Sequence, residues 1–438
     1  MKNKNNFLKI VLLMGDIVLM YFALLLTLAV RHGDFTFLPG VHTRIFLVHF
    51  SVIYLFWLLI LFAFDFYEIF YIRKSFDFLR NLTLFLIFAT GLGIAYFYLQ
   101  PELAIAPKTI LFLHILIFGL FFYFWRSFFT YILKFKNLKE KIIIIGEQKE
   151  VKEILSQISD QGYEIVGIVS DISYLKKIIE KNKIDLVVFT SQFYKNKKLV
   201  QQFFSKLPFN LNYINFVDFY EILTQKAFID NLDEVWFLEN IFRKEGKMDK
   251  ILKRGFDIVF SFLGILISLI LFPFIALMIK INSPGPVFYS QKRAGKDGRI
   301  FTLYKFRTMV VEAEKEGAQW AINNDFRITR FGKFLRTTHL DELPQFYNIF
   351  KGDISFVGPR PERPEFVDFL KKQIPYYEIR HFVKPGLTGW AQIKYHYGAS
   401  TEEAREKLKY ELYYIKNQSF VFDVAILLKT VQSVIINN

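Results

Sequence analysis

Residues 258–279 read IVFSFLGILISLILFPFIALMI, an uncharged run with one proline, Pro273, well inside it. The run is long enough to cross a bilayer, which takes roughly 20 apolar residues. A proline, however, removes a backbone donor and kinks a helix. Both flanks are basic: Arg243, Lys244, Lys247, Lys250, Lys253 and Arg254 precede it, and Lys280, Lys292, Arg293 and Lys296 follow. Basic flanks stay cytoplasmic, so a spanning helix would strand one cluster on the wrong side. A kinked helix over 256–281 that enters and returns keeps both on one face, and the run reads as re-entrant.

The composition fits that class. The chain of 438 residues is 53% hydrophobic and holds 53 Phe, yet carries a net charge of +15. Apolar bulk with excess Lys and Arg points to an integral membrane protein with basic cytoplasmic surfaces. A soluble nucleic-acid binder would be basic without long Phe runs, so the expected partner is the lipid bilayer and no nucleic acid. The absence of cysteine excludes disulfides, thiolate metal sites and Cys nucleophiles.

Upstream lie four apolar segments, at about Phe7–Val30, Ile45–Phe66, Leu82–Leu99 and Ile110–Leu133. They predict a four-helix transmembrane domain over 1–135. The first is too long for a signal peptide, carries Asp16 and ends at Arg31-His32 without a small-residue cleavage site. Lys2, Lys4, Lys9, Arg73, Lys74, Arg80, Lys134, Lys136, Lys139 and Lys141 put both ends of the bundle in the cytoplasm. Asp16, Asp65 and His114 sit in or near spans, either serving a pathway or hydrogen-bonding between helices.

From 136 to 242 apolar strands alternate with polar helical stretches. KIIIIG (141–146), EIVGIVSD (164–171), IDLVVFT (184–190) and NLNYINF (210–216) read as strands. Such alternation implies a parallel, doubly wound sheet. Gly146 is followed by Glu147-Gln148-Lys149, so the second and third glycines of a dinucleotide fingerprint are missing. The expectation is a Rossmann-like module that holds no dinucleotide tightly and regulates or dimerises.

The remaining 243–438 turns polar and glycine-bearing after Ser283. SPGPVFYSQKRAGKDGRIFTLYKFRTM reads as short strands joined by turns, with Lys292, Arg293, Lys296, Arg299, Lys305 and Arg307. Arg327, Arg330, Lys333 and Arg336 follow. This cation density suits an anionic ligand, either phosphate groups or acidic lipid headgroups, or a solvated surface. Then come the adjacent acids Asp341 and Glu342. Alone, Thr338 and Asp341 have the T-x-x-D spacing of a capping box, which favours a helix-start acid without chemistry. Arg336 five residues upstream, Arg360 on the stiff Gly358-Pro359-Arg360-Pro361 turn, and the membrane-dipping helix before the module argue for chemistry. A carboxylate can attack phosphorus and form an acyl phosphate, provided cations screen its charge. Downstream, Ser400-x-x-Glu403 predicts a capped amphipathic helix to about Tyr414, and FVFDVAILLKTVQSVI a helix at the membrane surface.

The motifs KRGFDIVFS, SPGPVFYSQKRAGKDGRIFTLYKFRTM, DFRITRFGKFLRTTHLDELPQFYNIFKGDISFVGPRPE and KPGLTGWAQI resemble the bacterial polyprenyl glycosylphosphotransferases. These are monotopic phosphoglycosyl transferases that initiate exopolysaccharide, capsule or O-antigen units. The match runs from about Lys253 onward, and the bundle and middle module resemble the family's long members. The resemblance implies a membrane α-helical bundle, an α/β Rossmann-like domain and an α+β catalytic domain with a re-entrant helix, in the bacterial inner membrane and facing the cytoplasm. It implies transfer of a phosphosugar from a UDP-hexose, glucose or galactose first, to undecaprenyl phosphate, with release of UMP. Asp341 would be the nucleophile and Glu342 its acid/base partner, the two holding Mg²⁺. Lys305, Arg307, Arg336 and Arg360 would bind substrate, Asp423 would support the site, and a homodimer is expected. Phe272 precedes the helix-breaking proline where members often carry serine; Ser268 lies five residues before Pro273. A dolichol-phosphate-type glycosyltransferase normally carries Asp-x-Asp, which this sequence lacks. A polytopic phosphosugar transferase needs about twice the spans found here, and a catalytically dead scaffold would not retain every motif acid and arginine.

Overall fold

The computed structural model describes residues 2–32, 41–64, 66–67, 75–99, 108–135, 139–146, 151, 154, 158, 163–169, 175–190, 193, 200–201, 211–229, 246–311, 313, 325–395 and 400–437. Asp65 and Glu147-Gln148-Lys149 lie outside the described residues. The chain divides into two compact units, Met1–Thr224 and Gln225–Asn438.

In the first unit, α1 (Lys2–His32), α2 (Val41–Ala63), α3 (Ser75–Tyr98) and α4 (Lys108–Phe135) are the apolar helices expected from the sequence. Each holds a stretch long and apolar enough to cross a membrane. Val18, Leu55 and Leu116 on their outer faces are 64–71% exposed, a surface that suits lipid rather than water. Inside, Trp57 stacks on His114 with centroids 5.5 Å apart, and the His114 Nε2 shares a 2.9 Å hydrogen bond with the Tyr54 hydroxyl. Asp16 pairs with Arg126 at 2.5 Å, both fully buried.

The same unit contains β1 (Glu140–Ile145), β2 (Tyr163–Val169), β3 (Leu186–Phe189) and β4 (Asn212–Asn215), with α5 (Leu175–Asn182) before β3 and α6 (Phe216–Thr224) after β4. The strands are parallel in the order β2-β1-β3-β4. The inner strands β1 and β3 are Ile- and Val-rich and almost wholly buried, as strands covered on both faces must be. Gly146 closes β1 at φ 140°, and a Cβ there would sit 1.7 Å from Thr190 Oγ1, so only glycine fits.

The second unit is built on α7 (Lys247–Asn282), 36 residues long and running through Pro273. Proline cannot donate to the Leu269 carbonyl, and the Ser268 hydroxyl does not replace that bond, since it bonds the Gly264 carbonyl at 2.6 Å. The strands β5 (Phe288–Ala294) and β6 (Ile300–Phe306) form an antiparallel hairpin, turned by Asp297 at φ 56° and Gly298 at φ 72°. After it come α8 (Arg330–Thr337), α9 (Gln345–Lys351), β7 (Ser355–Val357), α10 (Pro364–Gln373) and β8 (Gly386–Thr388), which pairs with β7 in parallel. Last are α11 (Trp390–Lys394), α12 (Thr401–Lys416) and α13 (Phe420–Asn437). The expected capping box opens α12: Ser400 Oγ accepts from Glu403 N at 3.2 Å, and Glu403 accepts from Ser400 N at 3.0 Å. The core of this unit joins Val357, Leu370, Trp390, Leu408 and Leu412. Ala227 and Ile229, assigned to the middle domain on sequence, pack into that same core, and Ala227 N donates to the Lys409 carbonyl at 2.9 Å.

Helix α7 meets α9 where Gly264 faces Phe346, and a Cβ at 264 would lie 2.7 Å from the ring. Alanine there sets a helix-propensity gain of about 1 kcal/mol against an overpacking cost of about 1–3 kcal/mol. Leucine gains no more propensity and clashes further, so Gly264→Leu is expected to lower stability by about 1–3 kcal/mol. Thermal unfolding of the purified chain in detergent reads this directly, and an unchanged midpoint would mean that α7 and α9 are not packed this closely.

Candidate active site

The acidic pair lies on one turn of 3₁₀ helix, Leu340–Glu342, between α8 and α9. Helix α8 starts where Thr329 Oγ1 accepts from Gly332 N at 2.9 Å. It ends at Thr338, whose hydroxyl bonds back to the Phe334 carbonyl at 2.8 Å. The capping box suggested by T-x-x-D is therefore not made. His339 takes a left-handed conformation at φ 56° and turns the chain, so that Asp341 and Glu342 face β6 rather than a helix N-terminus.

Lys305 of β6 places its Nζ 2.5 Å from Glu342 Oε1 and 3.8 Å from Asp341 Oδ2. Arg360 reaches the same Glu342 oxygen with Nη2 at 3.0 Å. Its turn is fixed by backbone bonds, Gly358 N to Thr388 O and Gly386 N to Pro359 O, both 2.9 Å. Arg336 donates from Nε to Thr308 Oγ1 at 2.9 Å, and its charge acts on Asp341. Asp341, Glu342, Lys305 and Arg360 are thus brought together, with Arg336 beside them.

The other two expected site residues engage elsewhere. Arg307 donates to the Ser283 and Pro284 carbonyls, both at 2.7 Å, and so braces the loop that leaves α7. Asp423 accepts from Tyr414 OH at 2.7 Å and pairs with Lys253 of α7. Lys253 in turn donates to the Val357 carbonyl at 2.9 Å, just before the arginine turn. Among the described contacts, Asp423 therefore meets the site only through β7.

The two acids are electrostatically unlike. Burial opposes charge on Glu342, but Lys305 and Arg360 outweigh it and hold the carboxyl well below its ordinary range. Burial pushes Asp341 up, partly offset by Lys305, and the charge of Glu342 pushes it further. Glu342 in return raises Arg360. Among the described residues no group donates a hydrogen bond to the Asp341 carboxylate. One acid is neutralised by two cations on a single oxygen, and the other is left available.

A groove of about 520 Å³ adjoins the pair, lined chiefly by Phe272, Phe288, Tyr304, Phe306, Leu343 and Tyr347. The rings of Phe272, Phe288 and Phe306 stack with centroids 5.4–6.2 Å apart. Sequence reading missed this groove. Alternation along β5 and β6 puts Phe288 opposite Phe306 and Ser290 opposite Tyr304 on one face, a pattern the pairing register alone reveals.

Residues 248–437 match the family described as bacterial sugar transferase. The chain is 46% identical over 184 residues to the UDP-N-acetylgalactosamine-undecaprenyl-phosphate N-acetylgalactosaminephosphotransferase of Aeromonas hydrophila, covering 42% of this chain and 44% of that protein. It is 41% identical over 186 residues to the UDP-glucose:undecaprenyl-phosphate glucose-1-phosphate transferase of Escherichia coli (strain K12), covering 42% and 40%. It is also 40% identical over 192 residues to the exopolysaccharide production protein PSS of Rhizobium leguminosarum bv. phaseoli, covering 42% of this chain and 96% of that protein. The chain belongs to the bacterial sugar transferase family. It spans less than half the length of the first two relatives.

The unlike acids imply mutations of opposite sign. Asp341 has a raised folded value, so it costs stability once pH rises through that value, and Asp341→Asn is expected to stabilise the fold at pH 7. Glu342 has a depressed folded value, so its contribution is full above its unfolded value and fades as pH falls. Glu342→Gln is expected to cost about 1–3 kcal/mol at pH 7, less than a sealed pair would, because Arg360 is 41% exposed. Thermal unfolding of both variants at pH 7 and pH 5 checks the signs; equal shifts in one direction would refute the split.

Proposed function

We propose that the chain transfers a phosphosugar from a UDP-hexose to undecaprenyl phosphate and releases UMP, through a covalent intermediate on Asp341. The observation that carries this reading is the split pair: Glu342 is neutralised by Lys305 and Arg360, while Asp341 accepts no described hydrogen bond and lies 3.8 Å from Lys305. The names of the relatives speak of glucose and N-acetylgalactosamine donors and of an undecaprenyl-phosphate acceptor.

In the first step an Asp341 oxygen attacks the phosphorus that bears the sugar. The new oxygen–phosphorus bond forms as the bond to the bridging diphosphate oxygen breaks, and UMP leaves with that electron pair. In the second step an oxygen of the acceptor phosphate attacks the same phosphorus, and the Asp341 carboxylate departs. Lys305, Arg336 and Arg360 supply the positive charge that lets an anion approach an anion. Glu342 orients Lys305 and Arg360 for that task.

The donor set also suits Mg²⁺. Its ligands are hard oxygens, commonly one or two carboxylates together with substrate phosphates. Both cations of the pair converge on Glu342 Oε1, so Oε2 and the Asp341 carboxylate remain to hold the ion. Bound there, Mg²⁺ would neutralise diphosphate charge.

The apolar groove would take the isoprenoid of the acceptor, since Leu343 and Pro344 in its wall directly follow the acids. The arrangement of α7 supports a re-entrant course with the catalytic unit on the cytoplasmic face. A straight helix of its 36 residues would measure about 54 Å. Its early turns are fastened to the unit through Arg254, which donates to the Ile349 and Phe350 carbonyls, and Asp257, which accepts from Ser355. Its late turns, at Ile275 and Ile279, pack with Phe306 and Leu335 of the same unit. That both stretches of the helix are tied to one module supports a course with both ends on one face.

Purified protein with Mg²⁺ and undecaprenyl phosphate is expected to release UMP from one member of a panel of UDP-glucose, UDP-galactose and UDP-N-acetylgalactosamine. Asp341→Asn is expected to abolish this by a factor on the order of 10³ or more. Release of UDP instead would identify ordinary glycosyl transfer and overturn the reading.

The acid limb of kcat/KM supplies a second test, because it reports ionisations of the free enzyme. Asp341 must be charged to attack, so activity is lost as pH falls through its raised value. Lys305 holds that value down, so Lys305→Met is expected to move the limb to higher pH. A limb that stays in place would remove Asp341 as the titrating group.

A further inference from the structure

Arg360 reaches Glu342 from a turn whose backbone is held from more than one side. Two other arginines hold its backbone. Arg380 Nη2 donates to the Arg360 carbonyl at 2.9 Å, and Arg293 Nη1 donates to the Pro361 carbonyl at 2.9 Å. Arg380 is itself clamped: Nη2 also donates to Glu411 Oε1 at 2.8 Å, and Nη1 to the Tyr377 hydroxyl at 2.5 Å. The Arg380 and Glu411 side chains are 3% and 2% exposed.

A buried ion pair of this kind is weak evidence for stability, because desolvation offsets the attraction. Glu411 lies within the buried run Leu408–Leu412 of α12, where an apolar residue would bury at no such cost. What the pair does, and apolar residues cannot do, is present a rigid planar fork to a carbonyl at a set point. That carbonyl belongs to the residue whose side chain meets the reactive acids.

We propose that Arg380, clamped by Glu411 and Tyr377, is a positioning residue that sets the reach of Arg360 to Glu342 and to the donor diphosphate. Arg380 touches neither acid among the described contacts and acts through the backbone of the turn. The inference rests on the phosphosugar-transfer reading for its kinetic consequence, though not for its structural one. It assigns a role to an arginine and a glutamate in no motif singled out from the sequence.

The test uses the full chain in detergent with Arg380→Lys, the double variant Arg380→Met/Glu411→Leu, Arg360→Lys, and Arg360→Lys combined with Arg380→Lys. The double variant removes both charges together, so it is expected to fold even if a lone Arg380→Met does not. Hydrogen exchange is read first. The amides of Gly358 and Gly386 are expected to exchange at least about tenfold faster in the double variant, with β5 and α12 unchanged. Unchanged exchange at the turn overturns the proposal whatever the reaction proves to be.

UMP release is read second. The double variant is expected to lose about 100-fold in kcat at a near-normal melting temperature, the scale of a misplacement of about 1 Å. Arg380→Lys added to Arg360→Lys is expected to cost little beyond Arg360→Lys alone. Full activity in the double variant, or losses that multiply, would show a merely structural pair and overturn the proposal. If the unmodified protein releases UMP from no donor, the functional reading fails, and exchange alone decides the positioning.

Discussion

Two adjacent carboxylates brought side by side in a largely buried site are the constraint around which the second unit is organised. Left alone they would repel each other. The resolution is asymmetric: Lys305 and Arg360 converge on one oxygen of Glu342, which leaves Asp341 buried and, among the described residues, without a hydrogen-bond donor. Lys305 comes from a hairpin strand and Arg360 from a turn more than fifty residues later in sequence. Both are held from behind, which keeps their charges aimed at Glu342. The rest of the unit supplies that backing: Asn348 fastens α9 to β6 by accepting from Tyr304 N at 3.1 Å and donating to the Thr302 carbonyl at 2.8 Å.

The long apolar helix α7 is part of the same support. Lys253, Arg254 and Asp257 lie within one turn of α7, and each fastens to the unit differently. Lys253 reaches the Val357 carbonyl, Arg254 the last carbonyls of α9, and Asp257 the start of β7. These are the elements that carry Arg360 and follow the acids. The geometry of the site is therefore tied to the long apolar helix, whose exposed residues such as Phe274 and Ile270, each 68% accessible, give it an apolar outer face.

Much of this was legible in the sequence, for physical reasons. Long uncharged runs allow few structures, and all four apolar segments of the first unit are helices. The strands of the α/β part fall within two residues of the expected bounds because short β-branched runs between polar breaks leave little choice. The Ser400 capping box formed because its partners are local. Long-range choices were not legible. Thr338 had the spacing of a cap but found the Phe334 carbonyl nearer, once left-handed His339 turned the chain away. Arg307 stood among phosphate-binding cations in sequence, yet Gly285 at φ 119° exposes carbonyls that draw it to the loop after α7. The groove needed the hairpin register, and the Arg380–Glu411 pair needed the packing of α12.

The first unit poses the complementary problem. Lipid is as apolar as the helices it surrounds, so no hydrophobic force selects one helix order over another. Close packing and buried polar bonds must do so. Asp16 of α1 and Arg126 of α4 pair where neither meets solvent, and Tyr54 of α2 is bonded to His114 of α4. Either bond, made with the wrong partner helix, would leave a charge or a ring nitrogen unpaired in a low-dielectric interior. The native arrangement meets part of that demand, pairing one Asp16 oxygen with Arg126 and one His114 nitrogen with Tyr54. The pair earns its place by making other bundles costly, even where it adds little net stability to this one.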